Sequence, residues 1–181
     1  MSKRIALNAF DMTCVDHQSF GLWRHPRSRA TEYNTIEYWT NLAQVLERGR
    51  FDALFLADVV GIYDIYRNSA APSIAGGAQV PVNDPFMQIS AMAAVTKNLG
   101  FGVTSAVTYE QPYTLARKYA TLDHLTRGRV GFNVVTSTCP RPPRTRACPR
   151  RSSTTSATSS PRSSSTSATS CGRAPGRTTP S

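Results

Sequence analysis

Four short apolar runs recur through the first 137 residues, with stretches of helical spacing between them. Arg4 to Phe10 (RIALNAF), Ala53 to Ala57 (ALFLA), Phe101 to Val107 (FGVTSAV) and Arg129 to Val135 (RVGFNVV) are nearly continuous in apolar character. Runs of that length bounded by polar residues or glycine predict buried strands, as in a parallel sheet covered on both faces. The first helix is predicted to open at Asn34, an N-cap with Glu37 three residues on. Tyr38, Leu42, Val45 and Leu46 carry its apolar stripe and Gly49 ends it. Asp84-Pro85 predicts a second start, with Ile89, Met92, Ala93 and Val95 inside and Asn98-Leu99-Gly100 as the stop. Pro112 opens a third helix carried by Leu115, Tyr119, Leu122 and Leu125 and closed by Gly128. Residues 11–33 and 59–83 read as loops.

The predicted order is strand, helix, strand, helix, strand, helix, strand. Such alternation implies an α/β fold, either a doubly wound sheet or an eightfold barrel. Four strands would be half of such a barrel, which cannot close by itself.

Composition changes the picture beyond Ser137. The chain carries a formal net charge of +10, which on its face suggests nucleic acid or an anionic surface. Residues 1–137, however, hold thirteen Lys and Arg against all eleven Asp and Glu, whereas residues 138–181 hold eight Arg and no acid. That tail uses only Thr, Cys, Pro, Arg, Ala, Ser and Gly. It has nothing with which to pack a core, so a low-complexity, disordered segment is expected. All seven of those residue types have G or C as the middle base of the codon. Third positions have that bias in a GC-rich gene, so the tail is expected to be a displaced reading frame. Shifting it back turns Ser153–Thr158 into EHDERY, Ser163–Ser167 into EFLDV, Ser170–Gly172 into ELW and Gly176–Ser181 into WEDDAV. The expected organisation is a partial barrel domain over 1–137 and a frameshifted tail over 138–181.

Cys14 stands alone in the first part, while Cys139, Cys148 and Cys171 lie in the tail. Their spacing matches no zinc pattern, and no metal is expected. Met1-Ser-Lys-Arg is followed by a strand pattern, not a long apolar run, and no stretch reaches membrane-spanning length. A cytoplasmic protein with no membrane partner is the expectation.

Three segments carry a family resemblance: Trp23 to Pro26 (WRHP), Phe51 to Asp58 (FDALFLAD), and Ala93 to Ser137 (AAVTKNLGFGVTSAVTYEQPYTLARKYATLDHLTRGRVGFNVVTS). Through them the chain resembles the luciferase-like group of nitrilotriacetate monooxygenase component A, the pristinamycin synthase large subunit and dibenzothiophene-sulfone monooxygenase. The resemblance covers the chain up to Ser137, and the back-read tail continues it in order. It implies the N-terminal half of a (β/α)8 TIM-type barrel. It further implies reduced FMN supplied by a separate NAD(P)H-dependent flavin reductase, O2 as co-substrate, a small organic substrate and a homo-oligomeric full-length form. The cofactor carries such chemistry, while the protein orients it and excludes water.

The resemblance points to Asp58 and Thr104 as FMN contacts. Asp58 also follows a strand at the end where barrel enzymes place functional groups; by composition alone it would read as a cap or ion-pair partner. Thr104 alone would read as a β-branched strand residue. Asn133, Thr136 and Ser137 close the fourth strand and are candidate site-liners by the same rule. No catalytic residue is assigned. Tyr109 is a candidate pocket wall, and His25 a candidate substrate-facing loop residue. His124, Arg117 and Lys118 are expected to be structural, solvated or paired. The family's phosphate-holding His and Tyr of the HDERY stretch correspond to Thr154 and Thr158 as the chain is written, so inactivity of the written chain is expected. Two other readings compete. A binding protein with a basic tail would show steep salt dependence, but its tail lacks aromatics for base stacking, so no specific nucleic acid is expected. A related deazaflavin-dependent oxidoreductase would share the fold, but the HDERY back-reading favours FMN.

Overall fold

The computed structural model describes residues 5–15 and 17–136. The N-terminal end of the first predicted strand, Ser137, and the whole tail, including Thr154 and Thr158, lie outside them. Four strands, β1 (Asn8–Met12), β2 (Ala53–Ala57), β3 (Gly100–Ala106) and β4 (Val130–Val135), form one sheet in the order β1-β2-β3-β4. Every pair is parallel. The helices are α1 (Ile36–Arg48), α2 (Ala71–Gly76), α3 (Ile89–Ala94) and α4 (Pro112–Thr126). No described helix is long and apolar enough to cross a membrane.

Successive side chains of a strand point to opposite faces, so the register sorts the sheet into two surfaces. On one face lie Leu54, Leu56, Phe101 and Val103, all essentially sealed from solvent. They pack with Trp39, Ala43 and Leu46 of α1, Ile89 and Met92 of α3, and Leu115 and Leu122 of α4. Replacing such a leucine by alanine costs roughly 2–5 kcal/mol, so this layer holds the molecule together. On the other face the row Phe10, Phe55, Gly102, Gly131 runs across all four strands. No described helix covers it: Phe10 is 51% exposed and stacks on Phe55 with ring centres 5.6 Å apart. A Cβ on Gly102 would stand 3.0 Å from the Phe55 ring, so the glycine makes the seat for that aromatic. This is the surface that lines the interior of a closed barrel.

Local differences from the sequence reading have identifiable causes. The first strand begins at Asn8 and runs on through Asp11 and Met12, because β1 pairs with β2 residue for residue from Asn8↔Ala53 to Met12↔Ala57. Helix α1 is capped by Thr35, whose hydroxyl accepts the Tyr38 N–H, and not by Asn34. Its inward stripe is Trp39, Ala43 and Leu46, while Val45 is exposed. Asp84 does cap a turn, its Oδ1 accepting the Phe86 N–H at 2.9 Å, but α3 begins only at Ile89. The 59–83 insert contains the short helix α2. Leu125, expected in the α4 stripe, is exposed.

The N-terminal end of the sheet is tied by two side chains. Glu47 Oε1 accepts the N–H groups of Asn98, Lys97 and Leu99, which terminates the segment after α3. Arg129 fans out to carbonyls of Leu99 (2.9 Å), Ala93 (3.0 Å) and Thr126 (2.9 Å), with Phe101 beneath its guanidinium. In barrels this end reads as stability, which leaves the C-terminal rim for chemistry.

Candidate functional site

Strand β2 ends at Ala57, so Asp58 is the first residue beyond its C-terminal end and is half-buried there. Burial is the main cause that raises its carboxyl to a pKa of about 6; nearby Asp84 and Glu110 add repulsion, and the Val59 N–H partly offsets them. A carboxyl placed there exchanges a proton near neutrality, because desolvation and like charge both disfavour its anion.

Thr104 and Asn133 are register partners on β3 and β4. Thr104 is 3% exposed, and its hydroxyl accepts the Asn133 amide N–H at 2.9 Å. The pair shares a sheet face with Ala106 and Val135, which stand two residues further along each strand. Ala106 and Val135 line a cavity of about 370 Å³ together with Asp58, Val60 and Thr136. Thr136 is tied in by its carbonyl, which accepts the Thr108 hydroxyl at 2.7 Å. The structure therefore brings Asp58 and Thr136 to one cavity and sets the Thr104–Asn133 pair one layer below it. The mouth offers a carboxyl and a hydroxyl at the edge of an apolar floor, with the Thr104 hydroxyl and Asn133 amide beneath it. That donor set suits the polar edge and flat body of an isoalloxazine ring. It offers no cation for a phosphate, and the positions expected to serve that group, 154 and 158, are outside the described residues.

A second cavity, of about 660 Å³, shares Asp58, Val60 and Ala106 with the first. Tyr109 lines it. Lys118 is paired, its ammonium 2.8 Å from Glu110 at the rim. His25 lies exposed in its loop, where Nδ1 accepts the Arg27 N–H, and His124 and Arg117 are exposed on α4. Sequence reasoning missed Asp84, Glu110 and Gln79, which line the larger cavity. It also missed His17, whose carbonyl accepts the Gln79 amide at 3.0 Å and whose ring packs 4.9 Å from Phe10. Sixty-two positions separate His17 from Gln79, and only a motif spanning both loops could have linked them.

Residues 17–144 match the family model described as luciferase-like monooxygenase. The chain is 68% identical over 137 residues to the dimethyl-sulfide monooxygenase of Hyphomicrobium sulfonivorans, covering 76% of this chain and 28% of that protein. It is 59% identical over 140 residues to the long-chain alkane monooxygenase of Geobacillus thermodenitrificans, covering 77% and 32%. The crystal structure of long-chain alkane monooxygenase (LadA) superposes with a TM-score of 0.89 at 49% identity, over 93% of this chain and 39% of that one. Riboflavin lyase, solved with modified FMN and riboflavin, gives a TM-score of 0.70 at 36% identity, over 75% and 30%. The chain thus spans about a third or less of the curated relatives it matches.

Proposed function

The chain belongs to the luciferase-like monooxygenase family, and from that premise we propose that its C-terminal rim holds the ring of reduced FMN for the O2-dependent oxidation of a small organic substrate. The observation that carries this reading is that Asp58 and Thr136 line one cavity, with the bonded Thr104–Asn133 pair two residues below its Ala106 and Val135 floor on the same sheet face. When bound, FMN supplies the oxygen-activating chemistry; a separate NAD(P)H-dependent reductase is the proposed source of its electrons. Within this chain, Asn133 fixes the Thr104 oxygen as an acceptor, which leaves the hydroxyl proton to donate toward the mouth. Asp58, poised near neutrality, accepts a ring N–H as the anion or donates as the acid. Ala106, Val134 and Val135 keep the floor dry.

The reading is tested in a chimera in which residues 1–136 replace the matching segment of the Hyphomicrobium relative. Anaerobic titration with reduced FMN should give saturable binding, weakened roughly threefold to tenfold by Thr104→Val, since one hydrogen bond is worth about 0.5–1.5 kcal/mol. Binding unaffected by Thr104→Val and by Asn133→Ala together sinks the assignment. The 181-residue chain by itself is proposed to show no turnover, because half of a barrel leaves the mouth open on one side.

A further inference from the structure

The larger cavity has a charge character that the proposed function leaves unused. All its lining residues among those described fall between Asp58 and Glu110. Val60, Ile62, Val80, Val82 and Phe86 supply apolar walls. Asp58, Asp84 and Glu110 supply carboxyl groups, and no Lys, Arg or His is among the lining residues. Lys118 answers part of this charge from behind, bonded to Glu110 at 2.8 Å and 5.4 Å from the Phe86 ring. That ammonium is bonded to one of the three carboxyl groups. Gln79 backs the same wall, 4% exposed, and its Oε1 has no hydrogen-bond partner among the described residues. Its orientation is fixed by the His17 carbonyl, which can only accept and so demands the amide nitrogen on that side. The wall is thus rich in acceptors and short of donors. A metal ion does not account for it, since no three His, Cys, Asp or Glu among the described residues are placed to hold one. The volume and the mixed lining are those of a small-molecule site.

We propose that this cavity is the substrate chamber and that it selects by charge, admitting uncharged or cationic molecules with small apolar substituents and turning away carboxylates. This rests on the function proposed above and narrows its substrate class. The shared wall of Asp58, Val60 and Ala106 sets such a guest beside the cavity assigned to the flavin ring. An anion entering would meet uncompensated like charge in a partly desolvated space, where Coulomb terms are stronger than in water. Uncharged molecules lose nothing to that field and gain contact with the valine and phenylalanine walls.

The test uses the 181-residue chain with labelled methyl groups and no flavin, so its outcome is independent of whether the cofactor assignment holds. Tetramethylammonium, dimethyl sulfide and succinate are titrated separately while the Val80, Val82 and Ala106 methyl resonances are followed. Tetramethylammonium and dimethyl sulfide should shift them saturably, and succinate at the same concentrations should not. Glu110→Gln should weaken tetramethylammonium by roughly threefold to fivefold, the size expected of a partly exposed charge contact, and leave dimethyl sulfide within twofold. Asp84→Asn, at a separate exposed position, provides an independent repeat should the first variant unfold. Succinate binding as tightly as the cation, no shift with any of the three, or equal weakening of both binders by both variants overturns the proposal.

Discussion

Asp58 and Arg129 hold opposite ends of the sheet and show how differently one charged side chain can be used. Arg129 is satisfied: its donors meet the carbonyls of Thr126, Leu99 and Ala93, so its charge welds α3, α4 and β3 together. Arg129→Met keeps the stem and strands those carbonyls. We expect a loss of about 2–4 kcal/mol by urea unfolding, since hydrogen bonds to a charged group contribute about 1.5–3 kcal/mol. A loss below half a kcal/mol would show that water replaces the guanidinium freely. Asp58 is frustrated instead, its pKa raised to about 6 by burial first and by Asp84 next. The folded state therefore holds a proton between about pH 4 and 6 that the unfolded chain has released. Stability from this group is greatest below the unfolded value and falls as pH rises through about 6. Asp58→Asn should accordingly raise the melting temperature at pH 8, with the gain shrinking to nothing near pH 4. In the chimera the same change should weaken reduced FMN by roughly tenfold, about 1.4 kcal/mol. A melting temperature lowered at pH 8, with flavin binding intact, would make Asp58 a structural cap.

The elements were legible in proportion to how much their own residues decide. Strand β2 lies where ALFLA predicts it, because a short apolar run between polar ends fits a strand, although only its alternate residues Leu54 and Leu56 are buried and the expected cover on the second face is not among the described residues. Helix α4 starts at Pro112 as expected, since proline at the first turn gives up no intrahelical bond. Where two adjacent residues compete for a role, the sequence is silent. Asn34 and Thr35 are both good caps, and the geometry awards the bond to Thr35. Thr35→Ala should cost about 1 kcal/mol while Asn34→Ala costs little, measured by chemical unfolding of each variant. Equal losses would mean that the hydroxyl contact, 3.4 Å long, is too weak to serve as the cap. The candidate site follows the same rule. Asp58, Asn133 and Thr136 were within reach because strand ends locate them, and Thr104 because of the family resemblance. Asp84, Glu110 and Gln79 were not, since they reach the cavity from loops whose paths no periodicity encodes. The tail makes a separate expectation at the level of DNA. Reading the gene around codons 136–139 should reveal a one-base displacement, and a downstream frame without apolar and acidic residues would refute it.

The molecule as a whole has one finished surface and one unfinished one. Helices α1, α3 and α4 close the outer face over Leu54, Leu56, Phe101 and Val103. The inner face leaves Phe10 at 51% exposure, and β1 and β4 stand at the two ends of the four-stranded order. An apolar sheet face beside end strands is a template for pairing with another chain. The 181-residue chain is therefore expected to associate with itself, with a sedimentation coefficient that rises with concentration. Phe10→Lys tests which surface is responsible. The residue points away from the helix-covered core, and among the described residues its ring contacts are with Phe55 and His17, so charge there should leave the fold intact. It should place a repelling ammonium at the centre of the contact. The variant should sediment nearer to a monomer with an unchanged far-ultraviolet circular dichroism spectrum. In the chimera, where the remaining strands of the relative close the barrel, the same lysine would be buried among apolar side chains without a partner, which costs several kcal/mol. One substitution should thus improve the solution behaviour of the chain and damage the closed barrel. If Phe10→Lys leaves both proteins unchanged, the inner face is neither the surface of association nor the interior of the completed fold.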